Sequence, residues 1–408
     1  MNNDRRLLLK SIIYHNWFIW IAFISCIQPD YLLTIRPIAT AMNYCNIIVF
    51  VILVLDMIIQ QRLKVNPVMI LIFLINAMLI LSSIYNHANV SYSVSRLIMI
   101  MNVCMITHSN LQHNSENFIR SVYVLLYACI TVNFITLLVF PNGLYYSYYE
   151  YYHTQIAYLK HWFLSATNNF VIFVFPAFIL DRIRLFRKGK FIDIYSITLY
   201  IMGMYGMFTG IATTSLIGCI AFFIYLIIII KKNLPSPSMK TYIILGGVLF
   251  VALVFMNVSN LFSDLLIQFL GKDTTFTGRS SIWLQAINFI KERPLTGYGF
   301  EYQADMVSKF EDNTATHCHN LYLDLCYRSG IFSLILFVVM LFICAQKLKP
   351  YKKDLLCKTI SFALFVYIGI LFQMEAYFNL CLFYMIVIFV DDIKYWISNP
   401  KKNGGKAE

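Results

Sequence analysis

The sequence predicts an all-α integral membrane protein of about twelve transmembrane helices, with one large outer loop containing amphipathic helices. Three observations carry this. Hydrophobic residues make up 59% of the 408 residues and charged ones only 13%, with a mean hydropathy of +0.68, whereas a soluble chain has about a quarter charged. Apolar runs of about 20 residues recur from end to end, each long enough at about 1.5 Å per residue to cross a hydrocarbon core about 30 Å thick. The basic residues are also segregated. With Arg5, Arg6 and Lys10 in the cytoplasm, all but nine of the 32 lysines and arginines fall on that side, as the positive-inside rule requires. The net charge of +12 therefore reports orientation, not a nucleic-acid partner.

Taken in order, the expected spans are 16–35, 41–59, 67–86, 91–107, 118–140, 161–180, 193–210, 213–230, 241–261, 330–346, 359–378 and 380–396, with both termini cytoplasmic. The first run, Trp17 to Leu33, lacks a small-residue cleavage site and reads as a retained span. Cytoplasmic turns hold Arg62 and Lys64, Arg120, the run from Asp181 to Lys190, that from Lys231 to Lys240, and that from Lys347 to Lys353. The nine basic residues left over are Arg36, Arg96, Lys160, Lys272, Arg279, Lys291, Arg293, Lys309 and Arg328. Seven of the ten cysteines fall within or at the ends of spans, where a thiol behaves as a small apolar residue. A Cys318–Cys326 bridge has no support in the pattern.

The chain divides into residues 1–261 (nine spans), a loop of roughly 68 residues at 262–329, and residues 330–408 (three spans and a tail). Loops of that length are usually functional. Within it Ile282, Trp283, Ala286, Ile287 and Ile290 recur at helical spacing, with Ser280 or Ser281 as N-cap. They predict an amphipathic helix on the membrane surface with Trp283 at headgroup level. Arg293-Pro-Leu-Thr-Gly-Tyr-Gly299 ends it, because proline stops a helix and glycine permits positive φ. A second outer segment, LYYSYYEYYH from Leu144 to His153, reads first as an aromatic belt and second as a sugar-stacking platform.

Polar groups within or against a bilayer cost free energy unless paired. Arg96 lies about one and a half turns inside the fourth span, to snorkel outward or to hold an anion in a cavity. Glu375, near the outer end of the eleventh span, pairs with an arginine or acts as a base, and pairing is the expected role. His317-Cys318-His319 invites a metal reading, but one short segment supplies at most two or three ligands and the loop has no second Cys/His cluster. No metal and no cofactor is expected. Cys318 and His317 read as bystanders. His319-Asn320 introduces an amphipathic lead-in to the tenth span, which puts His319 at the mouth of the bundle with Arg279 above it, equipment for binding a pyrophosphate and handling one proton.

The order Gly278-Arg279, Trp283, Arg293-Pro294, Gly297-Tyr-Gly299, His319-Asn320-Leu-Tyr322 and Gly330 resembles the bacterial O-antigen and capsule polysaccharide polymerases and the related O-antigen ligases. HWFLSATNNFVIFVFPAFIL, from His161 to Leu180, is similar to that family's asparagine-containing span. The resemblance implies a metal-independent membrane glycosyltransferase of the bacterial cytoplasmic (inner) membrane. Its substrates would be undecaprenyl-pyrophosphate-linked oligosaccharides, and a chain-length regulator and a flippase would be its partners. It gives Arg279 the leaving group and His319 the acceptor hydroxyl or the pyrophosphate. Arg96, Arg293, Asn320, Tyr322, Trp283 and Glu375 become substrate-binding candidates. The Thr-x-Ser-Arg element of many ligases has no arginine at Thr209 to Ser215, which favours repeat-unit polymerase over ligase and leaves Arg96 to supply the charge. A lipid-linked oligosaccharide flippase or transporter is the non-enzymatic alternative, which the large motif-bearing loop disfavours.

Overall fold

The computed structural model describes residues 12–59, 66–150, 156–210, 212–232, 235–255, 277–312 and 314–397. Arg5, Arg6, Arg62, Lys64, Lys272 and the first part of the large loop lie outside the described residues. The helices are α1 Asn16–Ile27, α2 Asp30–Thr34, α3 Arg36–Ile59, α4 Pro67–Tyr85, α5 Val90–Val139, α6 Val171–Arg187, α7 Ile194–Thr209, α8 Thr213–Lys232 and α9 Met239–Val254. They continue with α10 Thr277–Glu292, α11 Gln303–Phe310, α12 Leu321–Ser329, α13 Ile331–Leu348, α14 Leu355–Val366 and α15 Cys381–Asp391. Among the described residues five helical stretches are long and apolar enough to cross a membrane, namely α3, α4, α5, Ile331–Tyr351 and Leu355–Met374. Shorter apolar helices accompany them. The chain is an all-α multi-pass membrane protein.

The helix boundaries follow from local chemistry. Asn66 caps α4 by accepting from the amides of Val68 (3.0 Å) and Met69 (3.1 Å), with Pro67 in the first turn where no amide is needed. The expected spans 91–107 and 118–140 form one helix, α5, broken at Asn114 (φ −151°), whose side chain accepts from the Asn117 amide at 3.0 Å and restarts the helix. On α3, Ile47, Ile48, Val51, Leu55 and Ile58 are exposed, the face that lipid covers. Helix α15 is buried along its whole length and forms the centre of the bundle.

Three expectations are corrected. The sixth span does not begin at His161: Tyr145–Glu150 (β1) and Ile156–His161 (β2) pair antiparallel, Tyr145 opposite His161 and Ser147 opposite Leu159, and α6 starts ten residues later. Tyrosine is a good strand former, so the tyrosine-rich stretch read as an aromatic belt or a sugar-stacking platform is, over Tyr145–Glu150, a strand. Trp283 is not at a headgroup level either. It is 1% exposed, packed with Ile282, Ala286, Phe310 and Tyr327 in a small core that belongs to the large loop. Helix α10 starts at Thr277, so Ser280 and Ser281 lie inside it and do not cap it. An apolar helical stripe reads the same whether lipid or protein covers it.

The glycine-rich segment after α10 stitches this loop to the bundle. Tyr298 and Gly299 donate their amides to the carbonyls of Tyr327 (2.8 Å) and Arg328 (2.9 Å), Ile331 donates to Pro294 (2.8 Å), and Asn89 donates to Phe300 (3.0 Å). Gly330, at φ +79°, passes so close to the Leu295 carbonyl that a Cβ there would sit 2.1 Å from its oxygen. Arg328, one of the unexplained basic residues, is 2% exposed, bonded to Asp324 through Nε at 3.0 Å and stacked over Phe300 at 4.4 Å.

Candidate active site

A cavity of about 430 Å³ opens where the end of α1, the hairpin, α5, the large loop and the segment after α14 meet. Its lining includes Arg96, His317, His319 and Glu375. Each arrives for a local reason. Helix α14 runs into a π-helical turn at Tyr367–Leu371 and then Phe372–Met374, and the chain becomes extended at Glu375 (φ −151°). The π turn is a common device near functional sites, and here its Ile368 carbonyl accepts from Tyr322 Oη (2.5 Å) and Gln373 Nε2 (3.0 Å). Asn320 caps α12 by accepting from the Tyr322 (3.0 Å) and Leu323 (3.2 Å) amides while its Nδ2 donates to the Gln373 carbonyl at 3.0 Å. That one buried side chain ties the histidine loop to the Glu375 segment.

Glu375 is the hub. One carboxylate oxygen contacts His317 Nε2 and lies 3.3 Å from His319 Nδ1; the other lies 3.6 Å from an Arg279 guanidinium nitrogen. The two imidazoles are 4.0 Å apart, centroid to centroid. A carboxylate at a helix C-terminus is poorly placed for the helix dipole, so Arg279 and the two imidazoles are what hold it. Burial alone would raise its pKa, but the two imidazoles outweigh burial and keep Glu375 well below the ordinary carboxylate range. The expected pairing of Glu375 with an arginine is thus observed.

The other candidates divide. Arg96 is 8% exposed, lines the cavity and has its Nε without a hydrogen bond. Arg293 stands outside the cavity, bonded to Asn86 and 4.6 Å over the Tyr298 ring. Asn320, Tyr322 and Trp283 are buried supports and line no part of the cavity. Cys318 is fully buried and burial pushes its thiol well up, so it is no nucleophile. All ten cysteines are free.

His317, set aside in the sequence reading, belongs to the site, because its partner is 58 residues further on. The reading also missed Asp30, His161 and Ser165 in the lining. Asp30 Oδ2 accepts from Ser165 Oγ at 2.7 Å and lies 3.3 Å from His161 Nδ1, while His161 Nε2 meets Ser147 Oγ at 2.8 Å and its ring stacks on Tyr145 at 4.9 Å. A charged residue just after Pro29 and a histidine ahead of an asparagine pair were the available signals.

This multi-pass helical protein thus gathers two imidazoles, a carboxylate and Arg96 in one cavity lining, with Arg279 paired to the carboxylate, the concentration of polar groups that marks a functional site in a membrane protein. Residues 197–338 match the O-antigen ligase family. Over that segment the match supports the resemblance drawn from the sequence. The matched segment contains Arg279, His317 and His319 but neither Arg96 nor Glu375. The exopolysaccharide production protein ExoQ of Rhizobium meliloti (strain 1021) is 32% identical over 110 residues, 24% of either chain. The aligned region thus spans about a quarter of that relative's length. No solved structure matches.

Proposed function

We propose that this protein is a polysaccharide repeat-unit polymerase, joining oligosaccharides carried on undecaprenyl pyrophosphate at the outer face of a bacterial cytoplasmic membrane. The observation that carries the reading is the pairing of Arg279, His317 and His319, from the large loop, with Glu375 beside a cavity that Arg96, from the bundle, also lines. Fixed cations in a partly dry cavity stabilise a diphosphate leaving group as its charge develops. In the reaction a hydroxyl oxygen at the non-reducing end of one lipid-linked unit attacks the anomeric carbon of the other. The bond from that carbon to the diphosphate oxygen breaks, and undecaprenyl pyrophosphate departs with the electron pair. Asp30 with His161 is the pair in the same lining able to take the hydroxyl proton. Arg279, Arg96 and the two histidines of the loop serve the leaving group.

A ligase that moves finished glycan onto lipid A core or protein uses the same chemistry, and the family description over residues 197–338 favours it. Deletion of the gene separates the readings. Loss of a polymerase leaves single repeat units on the final acceptor, loss of a ligase strands long chains on the lipid carrier, and loss of a flippase abolishes both products. A ladder of normal length after deletion removes the polymerase assignment.

A further inference from the structure

We infer that a second cavity, at the opposite end of the bundle from the candidate active site, binds the phosphate of an anionic membrane phospholipid. This cavity, of about 200 Å³, lies between the start of α9, the end of α13 and the start of α14, and Lys240, Lys349, Lys352 and Lys358 all line it. Two helices fix its position. The span that begins with α14 runs 20 residues from Leu355 to Met374 and delivers Glu375 to the other cavity, while α9 starts here and ends at Val254 in the core of the large loop. A helix of 20 residues is about 30 Å long, the thickness of the hydrocarbon core. The lysines therefore sit at the other membrane face.

Four like charges around one small cavity repel one another and call for an anion. The described lining residues include no carboxylate. Asp354, close in sequence, is outside the lining and caps α14, its Oδ1 accepting from the Leu356 amide at 2.7 Å. Lys347, beyond the cavity, has Asp391 at 3.3 Å, whereas among the described residues Lys240, Lys349 and Lys352 have no ion-pair partner. Met239 and Lys240, the first turn of α9, belong to the lining and add the positive end of a helix dipole. Basic pockets between membrane-spanning helices are where phospholipid headgroups are held.

A lipid phosphate fits the surroundings better than a soluble one. Buried Met239, Ala345, Leu348 and Cys357 give the cavity an apolar floor. Ile244 and Val248 follow Lys240 at steps of four down α9, and Phe342 and Ile335 precede Lys349 at steps of seven along α13; all four apolar side chains are exposed. Each of these lysines thus heads an apolar stripe that faces lipid. A phosphate held by the lysines leaves its glycerol and acyl chains to lie along the stripes, which a soluble phosphate would not use. The inference stands apart from the glycosyl-transfer reading of the other cavity.

The test uses full-length protein, delipidated in neutral detergent and titrated with phosphatidylglycerol, with phosphatidylcholine and inorganic phosphate as separate arms, read by native mass spectrometry and thermal melting. The expected result is one retained phosphatidylglycerol per chain and a raised melting temperature, because a ligand of the folded state stabilises it. Phosphatidylcholine should do neither, and phosphate should not shift the melt. A lysine beside an anionic headgroup is worth roughly five-fold in affinity, so Lys240→Gln/Lys352→Gln should weaken retention about 25-fold. Lys240→Arg/Lys352→Arg should keep it. Lys188→Gln/Lys190→Gln, which removes two exposed cations outside the cavity, should leave it unchanged. An equal response to phosphatidylcholine or to phosphate alone overturns the inference, and so does an equal loss in the Lys188/Lys190 variant, which is what diffuse surface charge would give.

Discussion

Replacing Glu375 with glutamine keeps the side-chain shape and removes the charge on which Arg279 and two imidazoles converge. At the observed 3.6 Å and an effective dielectric of about 20, the Arg279–Glu375 attraction alone is on the order of 4–5 kcal/mol before desolvation. Side chains 20% and 10% exposed are only partly screened, and loss of desolvation cost returns some of that energy. A net destabilisation of about 1–3 kcal/mol follows for the loop's seat on the bundle. The larger effect falls on turnover. Arg279 and the histidine loop lose their common anchor, and misplacing one such stabiliser costs roughly 10²–10³-fold in rate. The assay is complementation of a deletion strain, with surface glycan resolved as a ladder and protein abundance in the membrane measured alongside. Glu375→Gln should collapse the ladder at near-normal abundance, and Glu375→Asp, which keeps the charge on a shorter arm, should give an intermediate ladder. A normal ladder with Glu375→Gln at wild-type abundance would refute the role given to this carboxylate.

Arg96→Ala should lower transfer activity of purified protein on lipid-linked substrate by about 10²-fold with an unchanged melting temperature, since its Nε makes no hydrogen bond to lose. Arg293→Ala should leave the glycan ladder intact, because that guanidinium lies outside the cavity. Asn320→Ala removes a helix cap and strands the Gln373 carbonyl, a loss of about 1–3 kcal/mol that a thermal melt in detergent would register. Trp283→Ala empties the loop's own core, and a cost of about 3–5 kcal/mol should appear as faster limited proteolysis within the loop.

Much of the architecture was legible because apolar runs and capping residues act locally. Asn66-Pro67 starts α4, Glu292 is followed by the break at Arg293-Pro294, and Asn320 opens the lead-in to α13, all near the expected positions. What failed was non-local. The stripe of Ile282, Trp283 and Ala286 specifies an apolar partner and not whether that partner is lipid or protein, and the partner is Phe310 and Tyr327. The hairpin was hidden because strand pairing between Tyr145 and His161 is non-local, and a tyrosine-rich stretch reads equally as an aromatic belt.

The site shows the same division. Glu375 and Arg96 stood out because ions beside a bilayer demand partners, and Arg279 through its place in the loop's ordered motifs, but that Arg279 is the arginine beside Glu375 had no signal in the sequence. His317 was lost because nothing in the local pattern connects it with a carboxylate 58 residues away. Arg293 and Tyr322 were overrated because order along the chain does not distinguish the groups that line a cavity from those that hold its walls in place.

The central claim, that the cavity around Glu375 is where chains are joined, is tested most directly by expressing His319→Ala and Arg279→Ala proteins in the deletion strain and examining the surface glycan. The account predicts membrane-inserted proteins that leave single repeat units on the final acceptor. A wild-type ladder from either variant would contradict it.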